Sequence, residues 1–389
     1  MKSKKRGRIW KIRKIGMVAL FLLVCTVCCP RAEAKTLEEL YNEQLEASGS
    51  EALLEELPEE TQELLRNLGI DSLEMGSVTT LQPSGVWDTL LSLIGREASS
   101  PLRTGGIILG VILLCALLEG WRSTLEDPAL SEVFGVLSTL AVCGAVLVPL
   151  SGCIRQVCDA TESTAVFMTS YVPVYGAVLA SSGQWTSALS YQAVVLWVAE
   201  LVSLLATYVI TPVMTVSLAM GVVGGVNRRL RLDTVSSFFN KTAVWLLGLI
   251  TTVFVGLLSV QGIAGTAADT LAGKAMKFSL SSFVPVVGGA LGDALSTVKG
   301  CLSLLKSTLG GFGILATALI ILPPLIRCAL WTLLLSLCHI AAELFGLETV
   351  GGVLKVAAGV VKTMIGILSS CGLFMIVATT IVTKAGTGG

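Results

Sequence analysis

The sequence SYVPVYG occupies residues 170–176, and a related sequence, SFVPVVG, occupies residues 282–288. Each copy reads Ser-aromatic-Val-Pro-Val-x-Gly and lies within a stretch that has no charged residue. A weaker similarity pairs Leu205-Ala206-Thr207 and Pro212 with Leu315-Ala316-Thr317, Pro323 and Pro324. Such internal similarity indicates a duplicated unit, and we place the two units at about residues 133–226 and 245–342. Chance recurrence of Val, Pro and Gly in an apolar chain is the alternative.

The proline and glycine of each copy predict a broken helix. Proline frees a backbone carbonyl and glycine permits a close turn, so such an element lies in a membrane only where protein or water satisfies it. In membrane transporters, interrupted segments at matching places of two repeats line the transport path. We therefore expect Pro173, Gly176, Pro285 and Gly288 to line a passage or to form a hinge. Structural kinks in a packed bundle are the alternative.

The composition predicts a membrane protein. Of the 389 residues, 53% are hydrophobic and 14% are charged, whereas a soluble protein carries about 25% charged residues. Uncharged stretches of about 20 residues, enough to cross a bilayer, recur along the chain. We predict an all-α, polytopic helical membrane protein with about six to eight transmembrane helices.

The chain begins with features of a secretory signal peptide, which we place at residues 1–34. Eight Lys and Arg residues within residues 2–14 precede an apolar core at 15–29, and Ala32-Glu33-Ala34 supplies a small-x-small cleavage site. An uncleaved signal anchor is the alternative, and either reading places residue 35 and its successors outside the cytoplasm.

Residues 35–103 form an acidic extracytoplasmic region with leucines at roughly helical spacing. Twelve Asp and Glu residues but only two basic residues occupy residues 35–80. A segment of this size buries little core by itself. We consider two interpretations, a pair of solvated amphipathic helices and a docking surface for another extracytoplasmic protein.

We assign residues 104–389 to a multi-span membrane domain. Clean spans are predicted at 104–121, 133–154, 242–264, 307–326, 328–342 and 363–383, with a further span and a shorter or kinked piece within 186–226, broken at Pro212. The mixed segments 155–185 and 265–306, which hold the two Val-Pro-Val copies, are expected to be amphipathic or re-entrant. The basic residues Arg228, Arg229, Arg231 and Lys241 are expected on the cytoplasmic side.

Few residues offer catalytic chemistry. The chain has one histidine, His339, so a histidine-based triad or a site with several histidine ligands is excluded. The phosphate-binding GxxxxGK[ST], HExxH and GxSxG motifs are absent. We predict a protein without enzymatic activity, metal or cofactor, and the charge pattern gives no sign of nucleic-acid binding. Cys153 and Cys158 could pair, although small apolar fillers are the favoured interpretation.

Charged residues inside apolar stretches are the remaining functional candidates, because a charge in hydrocarbon is costly. Glu200 lies well inside the apolar stretch 186–226. It is either a carboxylate of a transport pathway or a residue at an interface. His339 and Glu343 are four residues apart and share a helix face; they form either a proton-linked pair or a solvated helix end.

The layout as a whole resembles the stage III sporulation protein AE family. The resemblance covers residues 15–385 and is most specific at 278–295, where Phe283-Val284-Pro285-Val286-Val287-Gly288 is followed by Ala290-Leu291. It implies a multi-pass protein of the mother-cell membrane that engulfs the forespore. The implied partners are other proteins of a sporulation channel, namely a secretion-type ATPase, ring-forming subunits and a forespore membrane protein, together with the lipid bilayer. The family has no established catalytic residues to carry over.

We therefore expect a non-enzymatic component of the sporulation channel, needed for late forespore development and acting as passage or scaffold. The alternative is an autonomous secondary transporter that uses Glu200 and the broken helices at Pro173, Pro212 and Pro285. Dependence on partner proteins discriminates between these two functions.

Overall fold

The structure is a computed structural model, and it describes residues 36–73, 83–122, 128–226, 232–283 and 288–385. The regular secondary structure of these residues is entirely helical. The elements are α1 (Leu37–Ala47), α2 (Ala52–Glu55), α3 (Glu59–Asn67), α4 (Pro83–Arg122), α5 (Pro128–Ser181), α6 (Trp185–Leu205), a π-helical segment (Ala206–Ile210), α7 (Thr211–Val226), α8 (Leu232–Phe283), α9 (Gly288–Leu344) and α10 (Glu348–Ala385).

The chain forms two compact units, Met1–Leu40 and Tyr41–Gly389. The predicted signal peptide, residues 1–34, lies outside the described residues. Within the first unit, Thr36 and Glu39 form a capping box at the start of α1. The Glu39 N–H donates to Thr36 Oγ1 at 3.2 Å, and the Thr36 N–H donates to Glu39 Oε2 at 2.9 Å.

Six helical stretches in the described part of the chain are long and apolar enough to cross a membrane. They are Gly85–Gly120, Val136–Ser181, Trp185–Gly221, Lys241–Ala275, Thr297–Leu344 and Glu348–Lys384. The prediction of an all-α, multi-pass membrane protein with about six to eight spans is therefore confirmed.

Several spans continue much further than a bilayer requires. Helix α9 has 57 residues and is therefore about 85 Å long at 1.5 Å per residue. The hydrocarbon core of a bilayer is about 30 Å thick. Helix α9 therefore projects beyond the hydrocarbon on at least one side, and α5 and α8, with 54 and 52 residues, share this property.

Helices α9 and α10 form the centre of the bundle, where their mutual contact is the most extensive in the structure. Helices α4 and α5 pack against α9, whereas α8 packs against α10. Trp331 of α9, 1% exposed, is the largest side chain in this core. Leu335 of α9 and Leu354 and Val361 of α10 are buried with it. The apolar faces of two long antiparallel helices thus provide the surface on which the other spans assemble.

Two predicted interruptions are wrong, because the helices run through their prolines. The segment 155–185, expected to be amphipathic or re-entrant, is not re-entrant, since it is helical up to Ser181 within α5. The proposed spans 307–326 and 328–342 form one helix, since α9 continues through Pro323 and Pro324. Neighbouring helices in a packed membrane bundle supply groups and contacts that compensate for a proline, and local sequence does not reveal them.

The boundary expected at residues 103 and 104 falls within a helix. Helix α4 begins at Pro83, a residue well suited to a first helical turn, and the helix continues past Pro101 into the apolar stretch. The last span, predicted at 363–383, likewise lies within a longer helix, since α10 begins at Glu348.

The acidic region buries a set of apolar side chains. Its inward-facing apolar side chains, each at most 5% exposed, are Leu45, Leu53, Leu57, Leu64, Leu65, Ile70 and Leu73. The Tyr41 hydroxyl donates to the Leu73 carbonyl at 3.0 Å, and burial raises the pKa of Tyr41. Helix α3 packs against α9, and α2 packs against α5. The acidic region from Tyr41 onward is therefore attached to the bundle.

Candidate functional site

The first Val-Pro-Val copy lies inside α5, so Pro173 does not break the helix. Tyr171 and Tyr175, on either side of the proline, are both fully buried. The Tyr171 hydroxyl donates to the Leu309 carbonyl at 3.0 Å, and the hydroxyls of Tyr175 and Thr383 share a hydrogen bond of 2.6 Å. The expectation of a broken helix at Pro173 is wrong, because these contacts hold the segment against α9 and α10.

The two tyrosines belong to a column of aromatic rings, which we call the tyrosine column: Phe167, Tyr171, Tyr175 and Tyr191. Successive ring centroids are 5.4, 5.5 and 5.5 Å apart, within the range of favourable aromatic pairs. The first three rings come from α5 and Tyr191 comes from α6. The column therefore joins α5 to α6 through an apolar interior.

Two glycines of α9 make room for this column. A Cβ atom at Gly313 would collide with the Tyr171 ring, and one at Gly310 would lie 3.3 Å from the Tyr175 hydroxyl. Small residues at helix contacts permit such close approach in membranes. Sequence reasoning missed both glycines, because the chain has 40 glycines and none of them carries a local signal of a buried contact.

Gly176 has a packing role in the first copy. A Cβ atom there would collide with the Gln192 side chain. Gln192 Nε2 lies 3.4 Å from the Pro173 carbonyl and donates to it. Gly176 thus permits the close contact between α5 and α6, and Gln192 supplies a donor beside the proline.

The centre of the second copy, residues 284–287 with Pro285, lies outside the described residues. Phe283 is the last described residue of α8, and Gly288 is the first described residue of α9. Whether Pro173, Gly176, Pro285 or Gly288 lines a passage stays a prediction.

Pro212 follows a change of helix type. The residues Ala206–Ile210 are π-helical, and Pro212 is the second residue of α7. A π-helical turn is frequent at functional sites and at kinks. Thr211 Oγ1, at the start of α7, lies 2.8 Å from Cys158 Sγ of α5. This contact fixes one side of the π-helical segment.

The sequence left open a disulfide between Cys153 and Cys158. Both cysteines are free in the structure, and Cys153 is buried.

Glu200 is exposed on the outer surface of α6 rather than in the interior of the bundle. Its neighbours one turn away on the helix, Trp197 and Leu204, are 60% and 47% exposed. The carboxylate therefore interrupts an outward apolar surface.

Two buried polar contacts connect elements far apart in the sequence, and sequence reasoning missed both. Asp269 of α8 accepts from the Thr186 and Ser187 N–H groups at 3.0 Å and from Ser187 Oγ at 2.7 Å. The carboxylate thereby caps the N-terminus of α6. Near the same turn, the Lys306 ammonium, 2% exposed, donates to Gln184 Oε1 at 3.1 Å.

A further cluster of polar side chains lies where α4, α5 and α9 meet. Arg327 Nε donates to Glu97 Oε2 at 2.5 Å, and Arg327 Nη1 donates to Gln156 Oε1 at 2.7 Å. Glu97 is 2% exposed. Removing one member of such a pair leaves a buried charge without compensation. Its neighbour Arg96 points elsewhere, pairing with Glu60 and with Glu63 of α3.

His339 and Glu343 share a helix face as expected. The distance from Nε2 to Oε1 is 3.5 Å, and the Glu343 side chain is 62% exposed at the end of α9. Both interpretations of the pair therefore stay open.

The described residues contain no group of three or more His, Cys, Asp and Glu side chains placed to hold a metal ion. A small cleft of about 20 Å³ lies between α5, α6, α8 and α10. Its lining is mostly apolar and includes Val198, Phe254 and Phe374.

Comparison with known proteins gives one consistent result. A family model described as stage III sporulation protein AE matches residues 69–386. The chain is 27% identical over 301 residues to stage III sporulation protein AE of Bacillus subtilis (strain 168), and the alignment covers 75% of this chain and 71% of that protein. No solved structure matches the chain.

Proposed function

The chain belongs to the stage III sporulation protein AE family, and on that premise we propose that it is a membrane component of the sporulation channel linking mother cell and forespore. In this role it acts as passage or scaffold, without catalysis, in late forespore development. Its location is the mother-cell membrane that engulfs the forespore. Its partners are an ATPase, ring-forming subunits and a forespore-side protein.

The observation that carries this proposal is a bundle that extends beyond the bilayer and holds an acidic module. Helix α9 is about 85 Å long, and the acidic region packs on it through α3. Exposed carboxylates cover the outer side of that region, among them Glu51, Glu55, Glu56, Glu59 and Glu63. A scaffold that connects a membrane to proteins outside it needs a projecting, charged surface of this kind.

An autonomous transporter is the second candidate, and the π-helical segment before Pro212 favours it. Interrupted helices near the bilayer midplane form the substrate sites of many transporters. In that function α6 and α7 would move about residues 206–212, and Glu200 would take part in coupling.

Purification from sporulating cells tests the proposal. A tagged channel component should co-purify with ring subunits and should not transport by itself in liposomes. Replacing Glu55, Glu56 and Glu59 by Gln should reduce co-purification while leaving the amount of protein unchanged. Asp88→Asn, on the exposed start of α4, is the matched control and should have no effect. Transport by the purified chain alone would instead establish the transporter.

A further inference from the structure

Glu200 is the only charged residue in the sequence from Ser163 to Asn227. Its side chain is exposed, and the same helix face carries Trp197 and Leu204, which are also exposed. Ionisable residues in membrane spans almost always face the interior of a bundle or a water-filled cavity. An outward carboxylate on an apolar face therefore requires an explanation.

Contacts between α6 and α8 fix the depth of Glu200. The rings of Trp197 and Phe254 are 5.4 Å apart, and a Cβ atom at Gly265 would lie 3.0 Å from Ser187 Oγ. The contacting residue number rises from 187 to 197 on α6 while it falls from 265 to 254 on α8, so the two helices are antiparallel. Glu200, three residues after Trp197, is therefore level with Thr251, three residues before Phe254.

That level lies inside the hydrocarbon for any placement of the bilayer on this part of α8. The stretch 242–268 has no charge and is bounded by Lys241 and Asp269. A hydrocarbon core requires about 20 residues of helix. Whether such a window begins at Thr242 or ends at Ala268, it includes Thr251.

Among the described residues, the cations nearest to this depth are distant or already bonded. Arg327 of α9 is bonded to Glu97 and Gln156. Lys241 is ten positions from Thr251, or about 15 Å along the helix. Lys362 lies near the level of Lys241, because Gly366, one turn later on α10, contacts Val244. On the other side, Lys306 lies by Gln184, at the far end of α6. A second copy inserted in the same orientation would bring another carboxylate to this depth, not a cation.

We propose that the α6 face around Glu200 binds a transmembrane helix of another protein that carries a lysine or arginine at the same depth. The apolar neighbours Trp197 and Leu204 supply the packing surface, and the cation removes the cost of the carboxylate in hydrocarbon. This inference rests on the proposed role of the chain as part of a membrane complex, and it names the surface and chemistry of one contact.

Photocrosslinking in sporulating cells tests it. A photoreactive amino acid at Leu204 should form an adduct whose partner peptide, sequenced by mass spectrometry, is a transmembrane segment with Lys or Arg. Glu200→Leu should lower the adduct yield by about three- to tenfold, the range that one interhelical polar contact supplies, and Glu200→Gln should lower it less. The same probe at Val260, 67% exposed on α8, is the matched control and should not give this adduct.

A charge swap completes the test. Glu200→Lys should abolish the adduct, and Lys or Arg→Glu in the identified partner segment should restore it. Peptides from a second copy of this chain, lipid adducts alone, or an adduct unchanged by Glu200→Leu would each overturn the inference. Counts of heat-resistant spores separate it from the proposed function. Deletion of the chain could block sporulation while substitutions at residue 200 leave the adduct yield unchanged. That result would reject the proposed helix contact and leave the role in sporulation intact.

Discussion

The two Val-Pro-Val copies have nearly the same sequence, but only the first has a tyrosine on each side of its proline. The first copy is held inside α5, with Tyr171 and Tyr175 buried against α9 and α10. In the second copy, residues 284–287 lie outside the described residues. In the second copy Phe283 and Val287 replace the two tyrosines, so the hydroxyls that bond to Leu309 and Thr383 are absent. The comparison identifies the side chains that tie the first proline segment to its neighbours and shows that the second copy lacks them.

The largest expected difference between the copies is functional. Pro285→Ala should abolish the formation of heat-resistant spores while protein levels stay normal, whereas Pro173→Ala should leave spore counts near those of the parent. Residue 285 is expected to line a passage or to form a hinge, and alanine removes the proline on which a break in the helix would depend. At 173 the helix is already continuous. Spore counts with immunoblots of the membrane fraction check this. Loss of the Pro285→Ala protein itself would support a packing role for both copies.

A smaller difference is expected in stability when bulk is added near each copy. Gly313→Leu should lower the free energy of unfolding in detergent by about 1–3 kcal/mol, because the new side chain collides with Tyr171. Gly273→Leu, in α8 before the second copy, has nothing within 4 Å of the new Cβ and should leave stability unchanged or slightly higher. Denaturant titration of both variants measures the contrast. Equal destabilisation would show that the tyrosine column is not the tightly packed region.

The smallest expected effect comes from one hydroxyl. Tyr171→Phe should cost about 1 kcal/mol, because it removes the bond to the Leu309 carbonyl and leaves that acceptor buried. Tyr208→Phe, 74% exposed in the π-helical segment, is the matched control and should be neutral. Thermal unfolding of the two proteins side by side decides the point. A neutral Tyr171→Phe would mean that ring packing alone holds the first copy in α5.

Composition and uncharged stretches are sufficient to predict the all-α membrane class and the range of spans, because both depend on residue type alone. The continuity of α5 through Pro173 and of α9 through Pro323 and Pro324 was not predictable. The groups that compensate for these prolines come from other helices. The bond from Arg327 to Glu97 likewise joins residues far apart in the sequence.

The orientation of Glu200 was beyond sequence reasoning for a different reason. The residues around it are apolar on every side, so periodicity marks no inward face. The position of Glu200 in an apolar stretch was predictable, and its outward direction required the structure. The role of Asp269 at the start of α6 depends in the same way on a contact between distant segments.

Two consecutive residues of α4 belong to different parts of the molecule. The Arg96 side chain, 52% exposed, forms an ion pair with Glu60 at the surface. The Glu97 carboxylate forms an ion pair with Arg327 of α9 in the interior. Surface ion pairs are weak and are screened by salt, whereas a pair with a buried carboxylate is screened much less. At high ionic strength this joint therefore weakens on its outer side first. The ion pairs between Arg96 and the acidic region weaken before the contact between the three helices at Arg327 is lost.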